Sequence, residues 1–276
     1  MTIEELVTKG IKALESADVP EAQINVMYLL EYTLHINRME YLLNKQRAVT
    51  KEEEEAFFSA ISIRKNRVPL QHITGEQEFM GFSFLVNEHV LIPRQDTEIL
   101  VEEAAKLAKG RRILDMCTGS GCIILSMEQL CKPQYAMGVD ISIDALAVAR
   151  ENGKRLGSKV NWLQSDLFDK VSEKFDVIVS NPPYIERDEI PILMEEVRCH
   201  EPEMALDGGE DGLDFYRRII IESREHLELG GYLCFEIGYN QGEVVYSLME
   251  KAGFLECQIV KDLAGLDRVV IGQLIK

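Results

Sequence analysis

Apolar residues recur at helical spacing through the first 70 positions and give way to short apolar runs further along. Ile3, Leu6, Val7, Ile11 and Leu14 fall three or four apart, the period of one helix face. The stretch Asp18-Val19-Pro20-Glu21-Ala22 reads as a stop and restart, with Asp18 or its neighbour as the cap. Ile24, Met27, Tyr28, Leu30 and Leu34 form the next apolar face. Thr50-Lys51-Glu52-Glu53 has capping-box spacing, and the acids at 52–55 suit a helix N-terminus ahead of Ala56, Phe57, Ala60 and Ile63. Residues 1–70 are therefore expected to form a small helical bundle, a candidate substrate-docking module.

Residues 71–93 change character. Phe79, Phe82, Phe84 and Val86 crowd around Gly81, the pattern of a β-hairpin, here expected to link two domains. From residue 94 to 276 the pattern alternates. A helix is expected from about Gln95 to Ala108, then strands centred on 113, 137, 161, 178, 234, 257 and 270, with helices separating the first five. Alternation of this kind gives a mostly parallel α/β sheet with right-handed crossovers. The last two strands flank Asp262–Asp267 and read as a hairpin. Residues 186–211, rich in Glu, Pro and Gly, are expected to be irregular, a candidate lid or substrate wall.

The strand ends carry the candidate chemistry. Asn181-Pro182-Pro183-Tyr184 follows the buried-strand run Phe175–Ser180. Two prolines fix φ and supply no N–H, so a rigid loop presents an Asn side chain, carbonyl oxygens and an aromatic face where open α/β sheets bind ligands. A planar –NH2 group matches that set: its hydrogens need two acceptors, the Asn181 side-chain oxygen and the Pro182 carbonyl, and its face can stack on Tyr184. A strand-terminating turn is the plainer alternative. Upstream, Asp115-Met116-Cys117-Thr118-Gly119-Ser120-Gly121 reads as a strand end and a glycine turn before a helix. Gly119 and Gly121 let the backbone turn and approach a ligand closely. Ile124 stands where a dinucleotide loop would place its third glycine, which argues against that reading. Asp140 ends the second strand, placed to accept ribose hydroxyls or to act as a helix N-terminal acid in competition with Ser142 and Asp144. Asp166 follows the third strand.

Together Asp115–Gly121, Gly138-Val139-Asp140, Ser165-Asp166-Leu167-Phe168 and Asn181–Tyr184 resemble the class I S-adenosylmethionine-dependent methyltransferases that act on planar amino groups. More narrowly, with Gln71–Gly81, Leu91–Glu98 and Glu201–Arg217, the chain resembles the PrmC/HemK family, the protein-(glutamine-N5) methyltransferases of peptide release factors. The resemblance implies a Rossmann-like sheet with an antiparallel last strand, S-adenosylmethionine as methyl donor, and the glutamine of a release-factor Gly-Gly-Gln motif as acceptor. It implies cofactor contacts at Cys117, Thr118, Gly119, Ser120, Gly121, Asp140, Leu167 and Asn181, with Asp166 facing the adenine amino group. Substrate contacts fall on Asn181, Pro182, Pro183 and Tyr184. Leu167 departs from the aromatic residue some members carry. Arg94, Thr97 and Glu98 match a family segment near the site, or simply open a helix, and Glu201-Pro202 is a pocket wall or an ordinary turn.

Charge narrows the substrate. A formal net charge of −17, from 30 basic and 47 acidic residues, opposes approach to nucleic-acid phosphates and favours a protein partner. The nearest candidate for a basic stripe, Arg64-Lys65-Asn66-Arg67, is short and reads as a solvated helix end. An adenine-N6 or other nucleic-acid methyltransferase is the alternative enzyme, and a non-catalytic cofactor-binding adaptor the alternative class. The six cysteines lack Cys-x-x-Cys spacing and the five histidines do not cluster, so no metal is expected. No apolar run reaches the ~18 residues of a membrane span, and Met1–Leu6 lacks a signal-peptide pattern, pointing to the cytoplasm.

Overall fold

The computed structural model describes residues 1–275, which divide into two compact units: Met1–Glu76 with Met194–His200, and Gln77–Leu193 with the described residues from Glu201 onward. The first is helical: α1 (Ile3–Glu15), α2 (Ala22–Leu34), α3 (Arg38–Asn44), α4 (Lys51–Lys65) and α5 (Leu70–Thr74). Thr2, Asn37 and Thr50 each close a reciprocal capping box; Thr50 Oγ1 accepts from Glu53 N–H at 3.2 Å and Glu53 Oε2 accepts from Thr50 N–H at 2.8 Å. Asp18 does not cap α2. The N-cap is Glu21, in the left-handed region, with no side-chain hydrogen bond.

Two helix faces differ from those expected. In α2 the buried set is Ala22, Asn25, Val26, Leu29, Leu30 and Leu34, while Ile24 and Tyr28 are more than half exposed. In α4 it is Phe57, Ala60, Ile61 and Arg64, while Ala56 and Ile63 face solvent. The cause lies in the basic cluster, which is not a solvated helix end. Arg64 is buried, donating to Asn25 Oδ1 at 2.7 Å and to Glu196 at 2.8 Å, and Arg67 forks onto both oxygens of Glu196. Asn25 and Arg64 turn a polar pair inward and rotate the apolar stripes around it. Burial alone would raise Glu196; the two guanidinium partners hold it at about 2.

The second unit follows in chain order. It begins with the hairpin β1 (Glu76–Phe79) and β2 (Phe82–Leu85), then α6 (Thr97–Ala108), β3 (Arg112–Met116), α7 (Cys122–Cys131), β4 (Tyr135–Asp140), α8 (Ile143–Arg155), β5 (Asn161–Gln164) and β6 (Phe175–Ser180). The short helix α9 (Glu195–His200) lies in the first unit. The chain ends with α10 (Asp214–His226), β7 (Leu227–Glu236), α11 (Gly242–Lys251), β8 (Leu255–Lys261) and β9 (Asp267–Leu274). The seven-stranded sheet has the order β5-β4-β3-β6-β7-β9-β8. The first five strands run parallel and β9 runs antiparallel to both neighbours. Ile113, Val177, Val179, Cys234 and Ile271 pack with α6 and α7 on one face; Leu114, Ile178, Leu233, Phe235 and Val270 pack with α10 and α11 residues on the other.

No helix separates β5 from β6, contrary to expectation; residues 165–174 form turns closed by Asp169 N–H to Asp166 C=O and Val171 N–H to Phe168 C=O. Geometry explains this. The link crosses three strand spacings, roughly 14 Å, and must also return along the sheet. Ten residues reach roughly 33 Å extended but about 15 Å as a helix. The segment 186–211 is also more ordered than expected: Arg187–Ile192 and Glu203–Ala205 are 3-10 turns flanking α9.

Candidate functional site

The carboxyl ends of β3, β4 and β6 open onto a cavity of about 720 Å³, walled also by the 202–218 segment. The glycine loop is built from alternating left-handed positions, Cys117 (φ 62°), Gly119 (φ 53°) and Gly121 (φ 78°). It is tied down by Thr118 N–H to Val139 C=O at 2.9 Å and Gly121 N–H to Thr118 C=O at 2.8 Å. At Gly119 a Cβ would meet nothing within 4 Å, so bare backbone borders open space. At Gly121 a Cβ would stand 2.9 Å from the Trp162 ring. The close approach at Gly121 is therefore to the protein's own core.

Three acids serve different ends. Asp115 is fully buried and accepts from Thr118 Oγ1 at 2.5 Å; burial pushes it up to about 7, against that hydrogen bond. Asp140 accepts Gly119 N–H on Oδ2 at 2.8 Å and Ser142 N–H on Oδ1 at 2.9 Å. Burial raises it and these backbone donors oppose the rise. Ser142, not Asp140, caps α8 through Ala145 N–H. Asp166 pairs with Arg218 Nη1 at 3.0 Å, which commits part of its accepting capacity. Cys117 is raised by burial above the ordinary thiol value and stays a neutral wall residue.

The fourth strand tip holds the Asn-Pro-Pro-Tyr loop. Ser180 Oγ donates to Met116 C=O at 2.7 Å and locks β6 against β3 just before the loop begins. Asn181 and Pro183 line the cavity together with Cys117, Thr118, Gly119, Ser120, Asp140, Asp166 and Leu167. Pro182 is buried. Tyr184 packs against the core and donates its hydroxyl to Glu236 Oε1 at 3.3 Å; its carbonyl accepts from Gln241 Nε2 at 3.0 Å. Burial, then the Glu236 charge, raises the Tyr184 phenol.

Several residues around this loop carried no readable signal or an ambiguous one. Thr97 does not cap α6. It is buried, and its Oγ1 accepts from Asn181 Nδ2 at 3.4 Å. Glu98 reaches the hairpin turn instead, accepting from Met80 N–H at 2.7 Å. Glu236, at the tip of β7, is 1% exposed; burial pushes it up to about 7, against the nearby Thr97 hydroxyl, the charge of Arg268 and the hydrogen bond from Tyr184. Glu201 accepts from Arg94 Nη2 at 2.7 and 2.6 Å and from Ile92 N–H at 3.4 Å, pinning the start of the cavity wall. Among the described residues, no group of three or more His, Cys, Asp or Glu side chains is placed to hold a metal ion. No described helix is long and apolar enough to cross a membrane.

A parallel sheet with one reversed strand, a glycine loop after its first strand and a cavity over the strand tips define the class: a Rossmann-like methyltransferase domain. A solved methyltransferase from Pyrococcus furiosus shares this fold, with a TM-score of 0.56 at 19% identity over 71% of this chain and 90% of that one. Residues 5–75 match the PrmC N-terminal domain and residues 94–210 the methyltransferase small domain. The release factor glutamine methyltransferase of Clostridium acetobutylicum is 40% identical over 98% of both chains, and that of Geobacter sulfurreducens 40% identical over 95% of this chain and 93% of its own. The chain belongs to the release factor glutamine methyltransferase family.

Proposed function

We propose that this chain transfers a methyl group from S-adenosylmethionine to the side-chain amide nitrogen of the glutamine in the Gly-Gly-Gln motif of class I peptide release factors. The observation that carries this reading is Asn181, set on the wall of the same cavity as the glycine loop and Asp140. The cavity residues fit a nucleoside-bearing donor. Gly119 offers bare backbone with room beside it. Each Asp140 oxygen accepts one backbone N–H, which leaves lone pairs for a pair of hydroxyls. Ile141, half exposed, and Leu167 give the cavity apolar faces for a base.

When bound, S-adenosylmethionine supplies a methyl group on a positively charged sulfur. The chain's own residues prepare the acceptor. An amide nitrogen is a poor nucleophile because its lone pair is delocalised into the carbonyl. The Asn181 side-chain oxygen and the Pro182 carbonyl would accept its two N–H groups, fixing its plane and stabilising the positive charge that develops on nitrogen, the counterpart of an oxyanion hole. Pro183, on the cavity wall, would bound one face of the amide. Tyr184, packed against the core and off the cavity wall, braces the loop instead of stacking on the substrate as the sequence suggested. Alignment alone can supply ~7–11 kcal/mol of barrier reduction in well-oriented cases. Methyl transfer leaves a positive charge on the amide nitrogen, which makes its N–H acidic enough to pass a proton to water, so no strong base is required.

The helical unit suits protein docking. Ile24, Tyr28 and Tyr32 line one exposed stripe of α2, and Met39, Leu42 and Leu43 are exposed on α3. The net charge of −17 disfavours bare nucleic acid and suits a basic protein surface. A release-factor substrate places the reaction in the cytoplasm. The test is transfer of labelled methyl from S-adenosylmethionine with unmethylated release factor, DNA and RNA in parallel. Label on release factor supports the reading, and label only on nucleic acid rejects it.

A further inference from the structure

The carboxyl end of the Asn-Pro-Pro-Tyr loop is gripped by a residue 57 positions further along the chain. Gln241 stands at the N-cap of α11, yet its side chain caps nothing there. It is 8% exposed and turns back toward the loop. Its Nε2 donates to the Tyr184 carbonyl at 3.0 Å and to the Gly212 carbonyl at 3.3 Å, while its Oε1 accepts from Gly238 N–H at 3.0 Å. These partners fix the orientation of the amide, because a carbonyl only accepts and a backbone N–H only donates. The Tyr216 hydroxyl lies 3.5 Å from Oε1 and donates to the Glu236 carbonyl at 2.9 Å.

The cavity wall closes on the same stretch of loop. Ile185 N–H donates to Leu206 C=O at 3.0 Å, Gly208 N–H to Ile185 C=O at 2.9 Å and Arg187 N–H to Gly209 C=O at 3.0 Å. Gly208 lies flush on the loop: a Cβ there would stand 2.7 Å from Tyr184 Cα and 2.9 Å from the Pro183 carbonyl oxygen. Asp207, Gly209 and Asp214 of this segment line the cavity. Gln241, bonded to Tyr184 on the loop and to Gly212 on the wall, ties the two into one body. The other end of the loop is held through Ser180 Oγ on the Met116 carbonyl at 2.7 Å. Pro182 and Pro183 lie between these anchors. Their rings fix φ and their peptides are planar, so ψ is the soft torsion that remains. The ψ of Pro182 sets where its carbonyl points. Anchoring the Tyr184 carbonyl downstream removes that freedom.

We propose that Gln241 is a positioning residue: by holding the Tyr184 carbonyl against the cavity wall, it fixes the direction of the Pro182 carbonyl, the second acceptor for the substrate amide. This rests on the proposed function, in which Asn181 and the Pro182 carbonyl accept the two N–H groups of the glutamine. Gln241 does not line the cavity. Its loss should therefore lower turnover without weakening substrate or cofactor binding.

The test compares Gln241→Met, close in shape but without the two N–H donors, with Tyr216→Phe and Asn181→Ala. Tyr216→Phe removes a buried hydroxyl beside Gln241 and leaves both Nε2 bonds in place, so it reports the effect of lost stability alone. Turnover and KM are measured on purified release factor and S-adenosylmethionine affinity by calorimetry, all below the lowest melting midpoint of the set. Gln241→Met is expected to lower kcat about tenfold or more and to leave KM and cofactor affinity within about twofold. Tyr216→Phe should keep a kcat near the parent value. Parent-like kcat in Gln241→Met overturns the proposal, and so do binding losses as large as the loss in kcat. An equal fall of kcat in Tyr216→Phe overturns it as well. If Gln241→Met fails to fold, Gln241→Glu, which keeps an acceptor for Gly238 and loses both N–H donors, carries the same expectation and the same contrary results. Should Asn181→Ala itself turn over normally, the functional reading fails first. An inactive Asn181→Ala beside a fully active Gln241→Met leaves that reading standing and removes only the role of Gln241.

Discussion

Asp140 and Glu236 are both carboxylates at strand tips, yet their surroundings assign them opposite tasks. Asp140 takes backbone N–H groups on both oxygens at the cavity wall, so it is positioned as an acceptor for a ligand. Glu236 is sealed beneath the loop and takes the Tyr184 hydroxyl on Oε1, so it braces the site from behind. Substitutions should separate binding from turnover. Asp140→Ala should weaken S-adenosylmethionine binding about tenfold or more, since two charge-assisted contacts go. Asn181→Ala should bind the cofactor far better than it turns over, with a rate loss of about 10²-fold or more. Calorimetry and single-turnover transfer on the two variants check this. Equal losses of affinity and rate in both would contradict the division of labour. The strand-tip acids and Asn181 were legible in the sequence because each ends an apolar run. Thr97 was legible only as part of a segment near the site or a helix opening, and Glu236 not at all, because they meet the loop from positions 84 and 52 residues away.

At the scale of elements, β3, the glycine loop and α7 form one unit whose shape is fixed by Trp162 of β5. The indole packs where Gly121 has no side chain, and Gly138 of β4 also borders it: a Cβ at Gly138 would lie 2.6 Å from the ring. The glycine spacing therefore records strand packing as much as ligand approach. Gly121→Ala combines a left-handed backbone, φ 78°, with a clash against a large ring. It is expected to destabilise the fold by about 1–3 kcal/mol, read as a lowered urea midpoint. An unchanged midpoint would mean that the loop is not braced in this way. Strand positions were readable from sequence because buried parallel strands are nearly continuous apolar runs. The β5–β6 connection was misread because local pattern does not report how far a link must travel. The faces of α2 and α4 were misread because Asn25 and Arg64, polar residues that usually face water, turn inward together.

Over the whole molecule, buried carboxylates tie stability to pH in two opposing windows. Asp115 and Glu236 start from ordinary values of 3.8 and 4.5 and stand at about 7 in the fold. Between those limits the folded state holds more protons than the unfolded chain, so their contribution to stability falls as pH rises toward about 7, by at most about 1.4 kcal/mol per pH unit per group. Glu196 runs the other way. Held at about 2 against an ordinary 4.5, its contribution is present above that range and lost as pH falls through it. Urea midpoints should therefore decline between about pH 5 and about pH 7.5, and Glu236→Gln should shallow that decline by removing one of the raised carboxylates. A wild-type curve that rises over this range, or a Glu236→Gln curve of undiminished slope, would contradict the assignment. The overall acidity of the chain was plain from composition, but which acids are buried depended on the fold.

In the proposed reaction Asn181 and the loop behind it present one amide nitrogen to a methyl donor. The most direct measurement is mass spectrometry of unmethylated release factor after incubation with this protein and S-adenosylmethionine, with Asn181→Ala as the reference. The expected result is a single added methyl on the glutamine of the Gly-Gly-Gln motif, absent with Asn181→Ala. A methyl on any other residue, or equal methylation by the variant, would contradict it.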